Sequence, residues 1–229
     1  MKQTIRGVSS MATRQILADL ANKYIGETGQ EVDFHSTGGV TAAQRVRDGE
    51  PFDVVVLAAD ALQKLENENH ILPGTRIDFT RSAIAMAIRS GAPHPRLSDE
   101  QDVKDAILGA RAIAYSTGPS GVYLEKLFER WGILQAIRPR IVVPPPGIPV
   151  GSLVADGRAA LGFQQLSELL NVTGIEVLGL LPAAIQTITT FSAGISVRSD
   201  QPQLASQLLD YMRLPAATSI KQRYGMEPA

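Results

Sequence analysis

Short runs rich in Val and Ile alternate along the chain with longer stretches whose apolar residues recur every three to four positions. That alternation is the pattern of strands and helices in βαβ units, and it predicts an α/β fold. Thr4 to Val8 reads as a strand and Met11 to Thr28 as the helix after it, with Ile16, Leu17, Leu20, Ala21, Tyr24 and Ile25 on one face. Ser9 and Ser10 stand where the N-cap of that helix belongs, and Gly29 closes it. Glu31 to Phe34 is the next expected strand, Ser36-Thr37-Gly38-Gly39 a turn, and Val40 to Asp48 a helix. Val54 to Leu57 is apolar at every position, as strands covered on both faces are. Asp60 to Asn69 then reads as a helix.

Phe79 to Arg89 is a long strand and Ser90 to Leu97 a polar, Pro-containing loop. Asp99 to Leu108 is expected to be helical, Ala112 to Tyr115 a strand, Ser116 to Gly121 a turn, and Val122 to Trp131 a helix. Further on come a strand at Ile141 to Val143, a rigid turn at Pro144-Pro145-Pro146-Gly147, and a helix from Val150 to Asp156. Ala160 to Phe163 reads as a strand, Gln164 to Ser167 as a turn, and Ser167 to Leu170 as a short helix. Gln186 to Phe191 and Ala193 to Arg198 are expected as two strands, and Pro202 to Leu214 as a closing amphipathic helix. Nothing resembles a flexible Pro, Gly and Ser linker, so two domains would have to be joined by ordered strands.

The expected strand-to-helix junctions share a chemistry. Ser9-Ser10, Ser36-Thr37-Gly38-Gly39, Ser116 to Gly121 and Gly151-Ser152 each combine small residues with hydroxyls. Such a junction offers free backbone N–H groups at the positive end of a helix and lets a ligand approach closely. In open α/β sheets these junctions lie at the carboxyl ends of the strands, where ligands bind. Any one of them is an ordinary cap or turn; their repetition points to a site for a small anion.

Other chemistries find no support. Ser116 to Gly121 lacks the Lys of a phosphate-binding P-loop, and no GxGxxG follows the first strand, so no nucleotide cofactor is expected. His35, His70 and His94 are scattered without carboxylates at metal-ligand spacing, so no metal is expected either. No G-x-S-x-G elbow supports serine hydrolysis. His35, beside Ser36, is the one titratable side chain suggestively placed. Arg14 and Arg81 could supply fixed positive charge to a carboxylate, though such residues are more often simply surface arginines on an i, i+4 face.

Composition narrows the setting. In 229 residues there are 22 Lys and Arg against 23 Asp and Glu, and 44% of the chain is hydrophobic, enough for a sizeable core. The absence of cysteine excludes disulfides and thiolate chemistry, and a formal net charge of −1 leaves no footprint for nucleic acid. Val54 to Ala59 and Val177 to Ile185, the longest apolar runs, fall far short of the roughly 18 to 20 residues of a membrane span. Met1 to Gly7 shows no secretory pattern, so the expected location is cytoplasmic if Met1 is the native start, and periplasmic if the sequence is that of a processed form.

Several segments, in order, carry a family resemblance. They are Val8-Ser9-Ser10 with its helix, Gly49-Glu50-Pro51-Phe52-Asp53-Val54-Val55-Val56 followed by Ala58-Ala59-Asp60, Pro119-Ser120-Gly121-Val122-Tyr123 before Trp131-Gly132, Ala160-Leu161-Gly162-Phe163, and the tail from Lys221 to Gly225. Together they resemble the periplasmic-binding-protein-like type 2 family, in its molybdate-binding branch, over nearly the whole chain. The resemblance implies an α/β, two-lobe fold, each lobe a mixed sheet flanked by helices, with two crossing hinge strands. Lobe 1 would comprise residues 1–80 plus 190–229 and lobe 2 residues 81–189.

It further implies a small oxyanion or carboxylate held in the cleft between the lobes, with hinge closure near Arg81 to Ala83 and Thr190 to Ser192. Carried over by position, the binding residues are Ser10, Ala59 and Ser120. The wider expected lining adds Ser9, Arg14, Ser36, Thr37, Gly38, Gly39, Ser116, Thr117, Gly121, Gly147, Val150, Gln164 and Gln165. Two departures matter: Thr37-Gly38-Gly39 stands where molybdate binders have a serine-rich stretch, and Gln165 where they carry a tyrosine. Both argue for a larger, flatter di- or tricarboxylate. The implied role is the receptor of an ABC-type transporter, with its permease as partner. The alternatives are an isomerase of tricarboxylates, like the aconitate isomerases that share the family look, with His35 as its base, and a ligand-sensing domain.

Overall fold

The computed structural model describes residues 4–145 and 147–229, so Met1 to Gln3 and Pro146 of the expected proline turn lie outside the described residues. In chain order the elements are β1 (Ile5–Ser10), a 3-10 turn (Met11–Thr13), α1 (Arg14–Thr28), β2 (Val32–Thr37), α2 (Gly39–Arg47), β3 (Val54–Ala58), α3 (Ala59–Asn67) and β4 (Ile77–Arg89). There follow α4 (Glu100–Gly109), β5 (Ile113–Tyr115), α5 (Pro119–Arg130), α6 (Leu134–Ile137), β6 (Ile141–Val142), α7 (Val150–Ala155), β7 (Leu161–Gln165) and α8 (Leu166–Leu169). The chain ends with β8 (Ile175–Leu180), β9 (Ile188–Ile195), α9 (Pro202–Arg213), α10 (Thr218–Arg223) and β10 (Met226–Pro228). It divides into two compact units, Met1–Arg81 with Thr190–Ala229, and Ser82–Thr189. β4 and β9 each run from one unit into the other.

In the first unit the strand order is β2-β1-β3-β9-β4, with β1 parallel to both β2 and β3 and β9 antiparallel to β3. The period of two along a strand decides which helices cover it. Val54 and Val56 of β3 pack with Ile16, Leu17 and Leu20 of α1 and Leu208 of α9, whereas Val55 and Leu57 pack with Ala42 and Val46 of α2 and Leu62 of α3. Both faces are therefore covered, which is why β3 is apolar throughout. Each fully buried Ile or Leu in these layers contributes about 1.5 to 3 kcal/mol of hydrophobic stabilisation.

The second unit is built the same way on β4-β7-β5-β6, with β8 pairing β4. Ile84, Met86 and Ile88 of β4 face a core made with Val103 and Ile107 of α4 and Leu124 and Phe128 of α5. The alternate Ala85 and Ala87 meet Leu169 of α8 instead. β5 and β7 run parallel, with Tyr115 opposite Phe163, so their carboxyl ends open on one edge.

Four local expectations need correction. The first helix starts with a 3-10 turn, in which the Thr13 hydroxyl donates to the Ser10 carbonyl at 3.2 Å, and is α-helical only from Arg14. β2 continues through Thr37, because Ser36 and Thr37 pair with Ser9 and Ser10 of β1; their hydroxyls belong to a strand end and not to a turn. The two strands expected around Ser192 are one, β9, and the buried Ser192 hydroxyl is satisfied by donating to Asp78 Oδ1 at 2.7 Å. α5 begins at Pro119, its first turn formed by the residues expected to be a turn ahead of it. β8, α10 and β10 are additions: all three are short, and β8 is half-buried without a clean alternation.

Candidate ligand-binding site

In the first unit the carboxyl ends of β1 and β2 bring the expected residues together in register: Val8 opposite His35, Ser9 opposite Ser36, Ser10 opposite Thr37. Ser9 is fully buried; its Oγ lies 2.8 Å from Ser36 Oγ and donates to the Ser10 carbonyl at 3.2 Å. Ser10 differs. Its Oγ is buried with no hydrogen-bond partner, and a Cβ at Gly39 would lie 3.8 Å from Ser10 Cβ, so this hydroxyl sits against the first turn of α2. The α2 N-cap is Gly38, which supplies no side-chain bond, and the amides of that turn remain available at the positive end of a nine-residue helix.

Ala59 opens α3 after an Ala58 N-cap with no capping side chain. Arg14 is exposed on the first turn of α1. His35 is exposed as well. It lies near Glu50, whose carboxyl is held below the usual range chiefly by the hydrogen bond from Arg45.

In the second unit, the turn after β5 carries Ser116, Thr117 and Gly118 into α5. The Gly118 amide donates to Ser116 Oγ at 3.3 Å, and Gly118, the N-cap, gives the helix no side-chain bond. Gly121 has to be glycine: a Cβ there would come within 1.6 Å of the Ser116 carbonyl oxygen. The close approach sets Ser120, 1% exposed, into the first turn of α5, where its hydroxyl makes no hydrogen bond among the described residues. Thr117 is exposed.

On the neighbouring strand end, Gln164 and Gln165 are both buried. The Gln164 amide is spent internally, its Oε1 accepting from the Val150 amide at 3.0 Å and its Nε2 donating to Glu168 Oε1 at 2.6 Å. The expected contribution of Val150 therefore cannot come from its N–H while this bond stands. Gly147 lies in the exposed loop ahead of α7. Gln165 Nε2 donates to Thr189 Oγ1 at 2.8 Å, while its Oε1 is buried with no partner.

Three residues of this corner were not anticipated. Ser82, on β4, has a buried Oγ without a partner; Ile84, two residues on, pairs with Gln165. Thr189 orients the Gln165 amide. Glu168 is half-buried, and burial pushes its carboxyl up to about 8 against the lowering effect of the Gln164 bond. A serine inside an apolar strand and a glutamate four residues after a glutamine were the available signals, but neither shows from sequence whether its polar atoms are satisfied.

Buried polar atoms in folded proteins are nearly always hydrogen-bonded. Among the described residues four such side-chain atoms lack a partner: Ser10 Oγ at the end of β1, Ser82 Oγ within β4, Gln165 Oε1 at the end of β7, and Gln201 Oε1. Hydroxyls and uncapped helix N-termini make each cradle suited to an oxyanion. No cluster of three or more His, Asp or Glu is placed to hold a metal among the described residues, and no helix there is long and apolar enough to cross a membrane.

Comparison with known proteins shows the family and the fold. The chain is 36% identical to an aconitate isomerase of Pseudomonas sp over 98% of its own length and 88% of the relative's. It is 27% identical to the molybdate-binding protein ModA of Azotobacter vinelandii over 91% of this chain and 84% of that one. The fold matches the Azotobacter vinelandii periplasmic molybdate-binding protein structure with a TM-score of 0.82 at 24% identity, covering 98% of this chain and 99% of that one. Residues 5–227 match the family described as bacterial extracellular solute-binding protein, and the chain belongs to that family.

Proposed function

We propose that this solute-binding protein takes a small carboxylate of tricarboxylate size, and acts as the extracytoplasmic receptor of an ABC-type transporter. The observation that carries the reading is the set of buried, unpartnered polar atoms: the Ser10 hydroxyl in the first unit and, in the second, the Ser82 hydroxyl and the Gln165 amide. The hydroxyls donate to carboxylate oxygens. Gln165 presents an acceptor in the orientation described. Turning its amide by 180° presents a donor instead, since the Thr189 hydroxyl can serve either atom. A tetrahedral oxometalate dianion offers only acceptors, whereas a hydroxylated or partly protonated carboxylate offers both.

A thermal-shift series with molybdate, tungstate, citrate, isocitrate and cis- and trans-aconitate tests this. A carboxylate at a hundredfold excess over its Kd should stabilise the fold by about 2.7 kcal/mol. Stabilisation by molybdate with none from the carboxylates would overturn the reading.

A second reading, isomerisation of the bound tricarboxylate, is favoured by the likeness to the aconitate isomerase. Moving a C=C bond requires a group that takes and returns a proton near neutral pH. Glu168 has its carboxyl raised to about 8 by burial, but it bonds Gln164 on the face of β7 opposite Gln165, so its proton affinity alone does not make it the base. Proton NMR of cis-aconitate with the protein in D2O would show trans-aconitate growing in with deuterium at the exchanging carbon; an unchanged spectrum with a bound ligand leaves a receptor.

A further inference from the structure

The second unit carries another depression, at the edge of the sheet where β5 and β7 begin and β4 ends, opposite the strand ends that hold Ser116 and Gln165. A cavity of about 310 Å³ opens there. Its walls are small and apolar, with Ala92, Pro93, Ala106 and Ala159 among them, and among the described residues its charged lining is Arg89 and Arg111.

Gly157 measures the gap between these arginines. An atom placed where its Cβ would stand lies 3.5 Å from Arg89 Nη1 and 3.7 Å from Arg111 Nη2, with no third heavy atom beyond the adjoining residues within 4 Å. Laid end to end, those distances put the two nitrogens no more than about 7.2 Å apart. Gly157 itself has φ 72°, so the open space coincides with a backbone conformation that glycine favours. Arg111 Nη2 also donates to the Gly157 carbonyl at 2.8 Å, and the other N–H groups of that guanidinium are not used by any hydrogen bond among the described residues. No carboxylate forms an ion pair with either arginine among the described residues, and Glu176, on β8 next to the end of β4, is paired with His94 at 3.1 Å.

Both guanidiniums are exposed at the pocket rim with no ion-paired carboxylate among the described residues, and at no more than about 7.2 Å apart they can each take a different oxygen of one anion seated outside Gly157. We propose that this pocket is a second anion site, independent of the strand-end cradles, and that it takes a small doubly charged oxyanion whose oxygens bridge Arg89 and Arg111. The apolar walls leave room for a short carbon chain, so a dicarboxylate and a phosphate group share the required chemistry.

The test uses the full-length protein labelled with 15N, titrated separately with succinate and with inorganic phosphate. Saturable shifts of the Gly157 amide in either titration are expected; a response to succinate alone identifies a dicarboxylate site, and to phosphate alone a phosphate site. Arg89→Ala and Arg111→Ala should each weaken that binding about tenfold or more, as loss of a charge-assisted bridging contact does. Arg89→Lys, which keeps the charge and loses the fork, provides an intermediate where an alanine variant fails to fold. No Gly157 shift up to about 10 mM of both anions, or shifts unaffected by the arginine changes, would overturn the proposal.

Discussion

Replacing Glu168 with glutamine should raise stability by an amount that grows with pH. The Glu168 carboxyl is pushed from 4.5 to about 8 by burial, while in the unfolded chain it ionises in the ordinary range. Between those values the folded protein holds a proton that the unfolded chain has released. The associated stability is fully present below pH 4.5 and is lost as pH rises through 8. At about 1.36 kcal/mol per pKa unit the whole displacement is worth about 5 kcal/mol, and the part already lost at pH 7 is about 3 kcal/mol. These are upper bounds, because Glu168 still meets solvent along part of its surface. Glutamine keeps the acceptor oxygen that Gln164 Nε2 requires and has no proton to lose. Urea unfolding of both proteins at pH 5, 6, 7 and 8 isolates the group, since other titrations cancel in the difference. Glu168→Gln minus wild type should climb steadily toward pH 8; a difference flat across that range refutes the buried-acid argument.

Lys221 should show a pH dependence of the opposite kind. It is 3% exposed, its Nζ donates to the Phe79 carbonyl at 2.8 Å and lies 4.6 Å above the Phe79 ring, and burial lowers its pKa to about 8. The folded state sheds this proton before the unfolded state does, so stability should rise by about 2 kcal/mol between pH 7 and 9.5 relative to Lys221→Met, as read by the same unfolding series. Asp53→Ala should cost about 3 kcal/mol or more in denaturant unfolding, because the buried carboxylate accepts from the Arg6 amide, Ser199 Oγ and Gln201 Nε2, tying the C-terminal segment to the start of β3. Gly121→Ala forces a methyl onto the Ser116 carbonyl and should cost more than about 4 kcal/mol, seen as a large loss of thermal stability. Ser120→Leu should abolish the ligand-induced thermal shift while leaving the unliganded protein folded; an unchanged shift would remove the α5 N-terminus from the site.

The fold was legible in the sequence because its strands and helices are set by periodicity. Ile16, Leu17, Leu20 and Tyr24 recur at helical spacing on α1, and Val54 to Leu57 form a strand apolar on both faces; these are local patterns that tertiary packing reinforces. Reading failed where pairing, not pattern, defines the element. Ser36 and Thr37 are polar residues that look like a turn, yet β1 holds them in a strand; Ser192 looks like a break in β9, yet Asp78 satisfies its hydroxyl. β8 was missed because half-buried residues on a bulged edge of β4 carry no alternation to detect.

The candidate site divides along the same line. Hydroxyl and glycine junctions could be found by composition, but whether a given polar atom is free for a ligand is a property of the folded surroundings. Gln164 and Gln165 are adjacent and identical, and both are buried. The first spends its amide on Val150 and Glu168, the second keeps an unpartnered oxygen. Strand alternation sends their side chains to opposite faces of β7, one toward the start of α7 and the other toward Thr189. In the same way Ser9 is consumed by Ser36 while Ser10, one residue later and on the other face of β1, is not. Adjacent residues of one type therefore differ at the ends of both β1 and β7: one has its polar atoms hydrogen-bonded within the fold, the other keeps one unpartnered. A paired test follows from the alternation: Gln165→Leu should weaken ligand binding with little loss of stability, whereas Gln164→Leu should lower stability by uncapping the Val150 amide and leaving Glu168 without its donor. Equal effects of the two substitutions on both readouts would show that the unpartnered oxygen of Gln165 is not what meets the ligand.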